Sequence, residues 1–289
     1  MNLSAEIRKK WKPRKPASHK GDYGRVFILA GSRGLTGAAH LTSAACVRSG
    51  AGLVTLGVPD KVYAVLARRE AEVMVRPFLS TSSGALSFQS LKSVPDFSKN
   101  QDVLAVGPGL SRDGETQKLI RKVIAETSQP LVIDADGLNA LKGNLPALKK
   151  CIRRAVLTPH PGEFVRLFGG TLSDSDSLRK KRALEAAKKS GAIILLKGHK
   201  TVVASPDGKV YVNTTGNPGM ATGGSGDVLT GMIAALIGQN FSLWDAARFS
   251  VYLHGLAGDL AAKKVGQVSL QAGDILECLP YAFKKILGR

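Results

Sequence analysis

The sequence predicts one α/β domain built on a mainly parallel sheet with helices on both faces. Three observations predict it. Short apolar runs rich in Val, Ile and Leu recur along the 289 residues, unbroken as in strands buried on both faces. Stretches of helical periodicity separate them, and strands alternating with helices imply parallel strands joined by crossovers. Five of the runs stop at clusters of Gly, Asp, His, Glu or Lys. Parallel strands would deliver all five clusters to one edge, where such sheets bind ligands.

In chain order, residues 1–20 read as a basic polar arm and 21–289 as the domain, with no linker, repeat or low-complexity stretch. Residues 25–30 form a buried strand that opens into a glycine loop, Gly31 to Gly37. An Ala-rich helix over 38–50 and a strand over 53–58 complete a βαβ unit. The loop fits neither G-x-G-x-x-G nor G-x-x-x-x-G-K-[ST], so neither a dinucleotide fingerprint nor a P-loop is supported. A helix over 61–69, a strand over 72–77 and a Ser-rich loop with a short helix over 81–99 follow. The strand over 103–106 ends in Gly107-Pro108-Gly109-Leu110, and a helix spans 115–126. The strand over 131–133 ends in Asp134-Ala135-Asp136-Gly137. The next, 155–157, ends in Thr158-Pro159-His160-Pro161-Gly162-Glu163. After a helix over 176–190, the strand 192–196 runs into Lys197-Gly198-His199-Lys200-Thr201. Residues 202–204 and 209–212 pair as a hairpin around Ser205-Pro206-Asp207-Gly208. Helices over 226–237, 243–263 and 272–287 close the chain.

Composition narrows the function. With 44% hydrophobic residues the chain can bury a large core, which excludes disorder. No apolar run approaches the roughly 18–20 residues that span a bilayer, so no membrane partner is expected. The N-terminus lacks the apolar segment of a secretory signal. Cys46, Cys151 and Cys278 are odd in number, far apart and without metal-ligand spacing, as buried thiols in a reducing cytoplasm would be. The net charge of +19 suggests a polyanionic partner. Yet the basic residues are scattered over presumed solvent faces of helices, and aromatics, at 6%, are not interleaved with them. That argues against nucleic acid and for a phosphorylated small molecule.

The most informative stretch is NTTGNPGMATGGSGDVLTGMIAALIG, residues 213–238. Val228, Leu229, Met232, Ile233 and Leu236 recur on one helical face, predicting an amphipathic helix. The glycines before it make a loop that a ligand can approach closely. Where loop meets helix, at Gly223-Gly224-Ser225-Gly226, unpaired amides and the positive helix end predict a phosphate site. Asp227 would repel that phosphate unless it takes a proton from the attacking group. The plainer reading is that it balances its own helix dipole.

The other strand ends each carry two readings. Asp134 and Asp136 would sit near the phosphates, through Mg²⁺, or simply turn the chain at Gly137. His160, between two prolines, would bind a ligand or fill space. Glu163 would hold a metal's water shell or favour a helix dipole. The segment Lys197 to Thr201 would contact a nucleotide or form a basic turn.

Taken together, these residues resemble the NAD(P)H-hydrate dehydratases of the ribokinase-like superfamily. The resemblance runs from Lys20 to about Ala262. It rests on KGDYGRVFILAGSRGLTGAA, RSGAGLVTLGVP, GPGL, IDADGLNAL, LTPHPGE, LLKGHKT and NTTGNPGMATGGSGDVLTGMIAAL. It implies a ribokinase-like three-layer α/β/α fold and a lyase that repairs NAD or NADP damaged by hydration. The substrate would be the S form of NADHX or NADPHX, with ADP or ATP as phosphoryl donor. The stand-alone format favours ADP, converted to AMP, and the fused epimerase domain of some members is expected to be absent. The implied substrate residues are Ala38, Ala39, Gly109, His160 and Asp227, with Asp227 the catalytic base. Lys197, Gly198, His199, Lys200, Thr201, Asn217, Gly224, Ser225 and Gly226 are the implied nucleotide residues. Glu163 would assist Mg²⁺ through water. A cytoplasmic homotetramer is the implied assembly. Two rivals are a kinase acting on a small hydroxylated metabolite and an idle nucleotide sensor.

Overall fold

The computed structural model describes residues 2–69, 71–151, 154–172 and 175–288. Its first element departs from the expected polar arm. Helix α1 (Leu3–Lys10) buries Ile7 completely, and the arm is therefore partly folded onto the domain. The sequence carries only a short signal of this: Leu3, Ile7 and Trp11 recur every four residues, and Leu3 and Trp11 pack against the same core as Ile7. The helix is clamped by charge instead. The Arg248 guanidinium grips both oxygens of Glu6, at 3.0 and 2.7 Å, and Lys10 reaches Asp245 at 2.8 Å. The Arg248 hydrogen bond holds the Glu6 carboxyl at about 2, far below its ordinary range, despite partial burial. Ile7→Ala is expected to cost about 2–5 kcal/mol, from lost burial and an unfilled cavity, and to appear as a lower urea midpoint.

The sheet begins with β1 (Arg25–Leu29), followed by α2 (Thr36–Arg48), β2 (Leu53–Pro59), α3 (Asp60–Arg69) and β3 (Met74–Phe78). Then come α4 (Ser93–Ser98), β4 (Val103–Val106), α5 (Gly114–Glu126), β5 (Leu131–Ile133) and α6 (Ala135–Ala140). The chain continues through β6 (Ala155–Leu157), α7 (Pro161–Phe168), α8 (Asp176–Ser190) and β7 (Ile193–Leu196). The hairpin β8 (Val202–Ala204) and β9 (Val210–Val212) precedes α9 (Ser225–Gly238), α10 (Leu243–Val265) and α11 (Ala272–Leu287). The nine strands lie in the order β3-β2-β1-β4-β5-β6-β7-β8-β9. Strands β1 to β7 run parallel; β8 is antiparallel to β7 and β9 antiparallel to β8, so β9 again points the way of the parallel strands.

Alternate side chains of each strand enter two separate cores, which makes a three-layer α/β/α domain. Val26 and Ile28 of β1 pack with α1, α2, α3, α9, α10 and α11. Phe27 and Leu29 pack with α4, α5, α6, α7 and α8 on the other face. Because both faces are dry, the strands read as continuous apolar runs. The two thiols whose side chains are described, Cys46 and Cys278, are buried and free; the Cys151 side chain lies outside the described residues. No helix among the described residues is long and apolar enough to cross a membrane.

Helix α9 is not amphipathic, contrary to expectation. Every residue from Val228 to Gly238 is buried, because the helix is wedged between the sheet, α2 and α10. Close approach to α2 requires Gly231. A methyl group there would lie 2.1 Å from the Thr42 carbonyl oxygen.

Candidate active site

The parallel register brings all five polar strand ends to one edge. Strand order reverses between β1 and β4, so the crevice of the switch point opens between Gly31–Gly37 and Gly107–Leu110. The two loops are laced together. Gly31 N–H donates to the Pro108 carbonyl at 2.9 Å, and Ser32 Oγ to that of Gly109 at 2.8 Å. Gly109 fits against the start of α2 so closely that a methyl there would meet Ala38 Cβ at 3.0 Å. Ala38 and Gly109 are thus neighbours. Ala39 is fully buried, with its methyl beneath Gly31, so its side chain is core.

The loop expected to cradle a phosphate meets the start of α9. Gly224 caps the helix at φ +90°, a backbone that side chains rarely adopt, and a methyl there would strike Leu41. Ser225 N–H turns back to Thr222, at 3.4 Å. The amides of Gly226 and Asp227 have no acceptor among the described residues, which leaves two donors at the positive helix end.

Beneath the cradle lies an ion pair that organises the site. Lys197, leaving β7, extends its Nζ to 2.8 Å from Asp134 Oδ1 and 3.9 Å from Glu163 Oε2. Thr230, one turn along α9 from Asp227, donates to Asp134 Oδ2 at 2.9 Å. Only a glycine fits above the pair comfortably: a methyl on Gly226 would be 3.1 Å from Lys197 Nζ. Burial alone would lower the Lys197 ammonium, but Asp134, Glu163 and Asp227 outweigh it and hold the group above the ordinary lysine range. Asp227 moves the other way for a carboxyl. Burial, followed by repulsion from Asp134, lifts it to about 7, with Lys197 opposing and Asp136 and Glu163 adding to the rise. A carboxylate titrating near neutrality beside free amides can act as a general base.

Asp134 and Asp136 are not open metal ligands. Both oxygens of Asp134 are taken, and Asp136 accepts from Ser111 N–H at 2.8 Å and from Asn139 Nδ2 at 3.0 Å. Glu163 closes a capping box on α7, its Oε2 accepting from His160 N–H at 2.9 Å. His160 completes the box through Nδ1, which accepts from Glu163 N–H at 3.4 Å and also from Gly162 N–H at 3.0 Å. The side chain whose stiff setting suggested a ligand therefore starts a helix, while its ring stays 48% exposed at the edge. Among the described residues no group of three His, Cys, Asp or Glu could hold a metal ion. These carboxylates do not fit a Mg²⁺ ligated directly by the protein.

The segment from Lys197 to Thr201 divides. Lys197 enters the centre, whereas Gly198, His199 and Lys200 form an exposed turn. Lys200 pairs with Asp176 at 2.8 Å, and Thr201 Oγ1 donates to the Gly198 carbonyl at 2.9 Å. Asn217 braces its loop, accepting from Gly219 N–H and donating to Asp259 of α10, each at 3.0 Å.

Three residues escaped the sequence reading. Thr230 had a signal, since it lies three residues after Asp227 on the same helix. Asp259 and His254, both on α10, had none, because only the fold brings that helix under the loop. His254 Nε2 lies 3.4 Å from Ser225 Oγ, and burial pushes the imidazole down to about 4, so it is neutral.

Fold and site together define a ribokinase-like α/β protein. The match of residues 26–281 to the profile of NAD(P)H-hydrate dehydratases is more specific, and the chain belongs to that family. It is 48% identical over 275 residues to the bifunctional NAD(P)H-hydrate repair enzyme of Moorella thermoacetica, covering 95% of this chain and 52% of that one. The chain thus spans about half the length of such bifunctional relatives. It is 36% identical to the ADP-dependent (S)-NAD(P)H-hydrate dehydratase of Neisseria meningitidis, over 92% of this chain and 86% of that one. The crystal structure of the ADP/ATP-dependent NAD(P)H-hydrate dehydratase from Bacillus subtilis, co-crystallised with ATP/Mg²⁺, superposes with a TM-score of 0.82. It shares 30% identity and covers 98% of this chain and 97% of that one.

Proposed function

We propose that this chain dehydrates the S form of hydrated NADH or NADPH, with ADP as phosphoryl donor. The observation that carries the reading is the Asp227 carboxyl, raised to about 7 beside two unpaired amides and an anchored lysine. Hydroxide leaves carbon poorly, whereas phosphate leaves well. Asp227 takes the proton of the C6 hydroxyl as its oxygen attacks the β-phosphorus of ADP and the bond to AMP breaks. The Gly226 and Asp227 amides and the Lys197 ammonium meet the charge on the moving phosphoryl group. The C6–O bond then breaks, pushed by the ring nitrogen. Loss of a proton from C5 restores the double bond, leaving NAD(P)H and phosphate. Ala38 and Gly109, adjoining at the switch point, border the space for the hydrated ring, with His160 at the rim. A Mg²⁺ ion arriving with the nucleotide would be held through its own water, with Glu163 the acid that assists it.

The test is recovery of the near-ultraviolet absorbance of reduced nicotinamide from prepared NADHX, with ADP or ATP in separate reactions. Recovery with ADP supports the reading, and recovery only with ATP corrects the donor. No recovery from protein that binds nucleotide refutes it. With Asp227 active as its anion, kcat/KM is expected to rise with pH to about 7 and then level. Assembly as a tetramer is the remaining part of the proposal, read by light scattering.

A further inference from the structure

Asp134 is unlike the other acids at this edge. It is 1% exposed, it caps no helix with its side chain, and each of its oxygens faces one donor, Lys197 Nζ or Thr230 Oγ1. A buried carboxylate with no turn to hold and no open oxygen has little reason to be there except to act on its neighbours. Two groups the phosphoryl transfer needs feel it: Lys197, which it holds directly, and Asp227, which it repels. Asp134 Oδ2 would lie 3.9 Å from a methyl on Gly226, so the pair sits directly under the free amides. We propose that Asp134 is a positioning residue: it anchors the Lys197 ammonium beneath the cradle and keeps a fixed like charge beside Asp227.

The proposal rests on the phosphoryl-transfer reading and adds a division of labour to it. Lys197 has four rotatable bonds, and without an anchor its ammonium would shift toward Glu163, 3.9 Å away. Thr230 links the anchor to α9, the helix that carries Asp227, so base and cation move as one body. The charged groups around Asp227 are Asp134 after β5, Asp136 in α6, Glu163 in α7 and Lys197 after β7. His254 of α10 is neutral. Among the carboxylates, Asp134 exerts the strongest repulsion.

Asp134→Asn keeps the shape and removes the charge, and Glu163 spares Lys197 from being left without a counter-ion. The kcat is expected to fall about 100-fold, as for a group displaced by an ångström. The acid limb of kcat/KM should move down by about one pH unit, because Asp227 loses its strongest like-charge repulsion. The limb decides. A purely structural role would lower activity equally at every pH, so an unmoved limb overturns the proposal whatever the rate loss. Should Asp134→Asn not fold, Thr230→Val decides instead, since it frees the anchor without changing any charge. A drop of about ten-fold in kcat at unchanged KM for ADP supports the proposal, and wild-type kcat overturns it. Wild-type protein that leaves NADHX untouched would refute the underlying reading, an outcome distinct from either of these.

Discussion

Asp227→Ala lowers kcat roughly 10³-fold or more and leaves the affinity for nucleotide within a few-fold of wild type, the expected loss for a general base. The amides proposed to meet the phosphates belong to the backbone and survive the substitution, so binding and chemistry separate. Single-turnover dehydration and nucleotide titration check the two halves independently. Wild-type turnover in this variant would refute the base assignment. The same carboxyl has an opposite effect on stability. Its folded value of about 7 lies above the ordinary 3.8, so folding favours the neutral form. The stability Asp227 contributes is complete below about 3.8 and is lost as pH rises through about 7. Asp227→Asn, neutral throughout, is therefore expected to be more stable than wild type above pH 7, by an amount on the order of a few kcal/mol, and so to melt higher. The gap should close below pH 4, and melting curves across this range check the sign.

Gly231→Ala is expected to be among the most damaging single substitutions in the core, although alanine is the better helix former. The added methyl would sit 2.1 Å from the Thr42 carbonyl and 3.0 Å from Ala45 Cβ. Neither neighbour can swing aside, because both belong to the body of α2. The helices must part, and about 3 kcal/mol or more is lost to overpacking. Gly114→Ala is the control. It opens α5 with nothing within 4 Å of the new methyl, and should change stability by less than about 0.5 kcal/mol. Urea midpoints of the two variants make the comparison.

The parts of the fold that were legible in sequence share one property, namely that local pattern and final environment agree. Residues 103–106, 131–133 and 155–157 are apolar runs buried on both faces, and their observed bounds are the expected ones. Strand ends were legible for the same reason, since Gly-Pro-Gly and Asp-Ala-Asp-Gly cannot continue a strand. Where environment overrides pattern, the local pattern and the final structure differ. The repeat from Val228 to Leu236 marked one apolar face, but α2 and α10 cover the rest of α9 as well. Helix α1 was missed because its partners are far away: Arg248 is 242 residues from Glu6. In the site, the glycine-led helix start at Asp227 was legible, and its Gly226 and Asp227 amides are unpaired among the described residues. The grip of Asp134 on Lys197 was not, because 63 residues and two strands separate them. His160 shows the limit from the other side. Its proline-bounded setting was conspicuous in sequence, yet the structure uses its ring to start α7.

The clamp on α1 has a consequence for how the chain is made. Synthesis proceeds at about 5–20 residues per second, so Glu6 leaves the ribosome roughly 10–50 s before Arg248 can reach it. During that interval α1 is a short charged peptide whose Leu3 and Ile7 have nothing to dock on. The central strands can pair as they emerge, but both the N-terminus and the cradle before α9 wait for the last third of the chain. A protease added to stalled nascent chains should therefore cut between residues 1 and 20 until α10 has emerged, and lose that access afterwards.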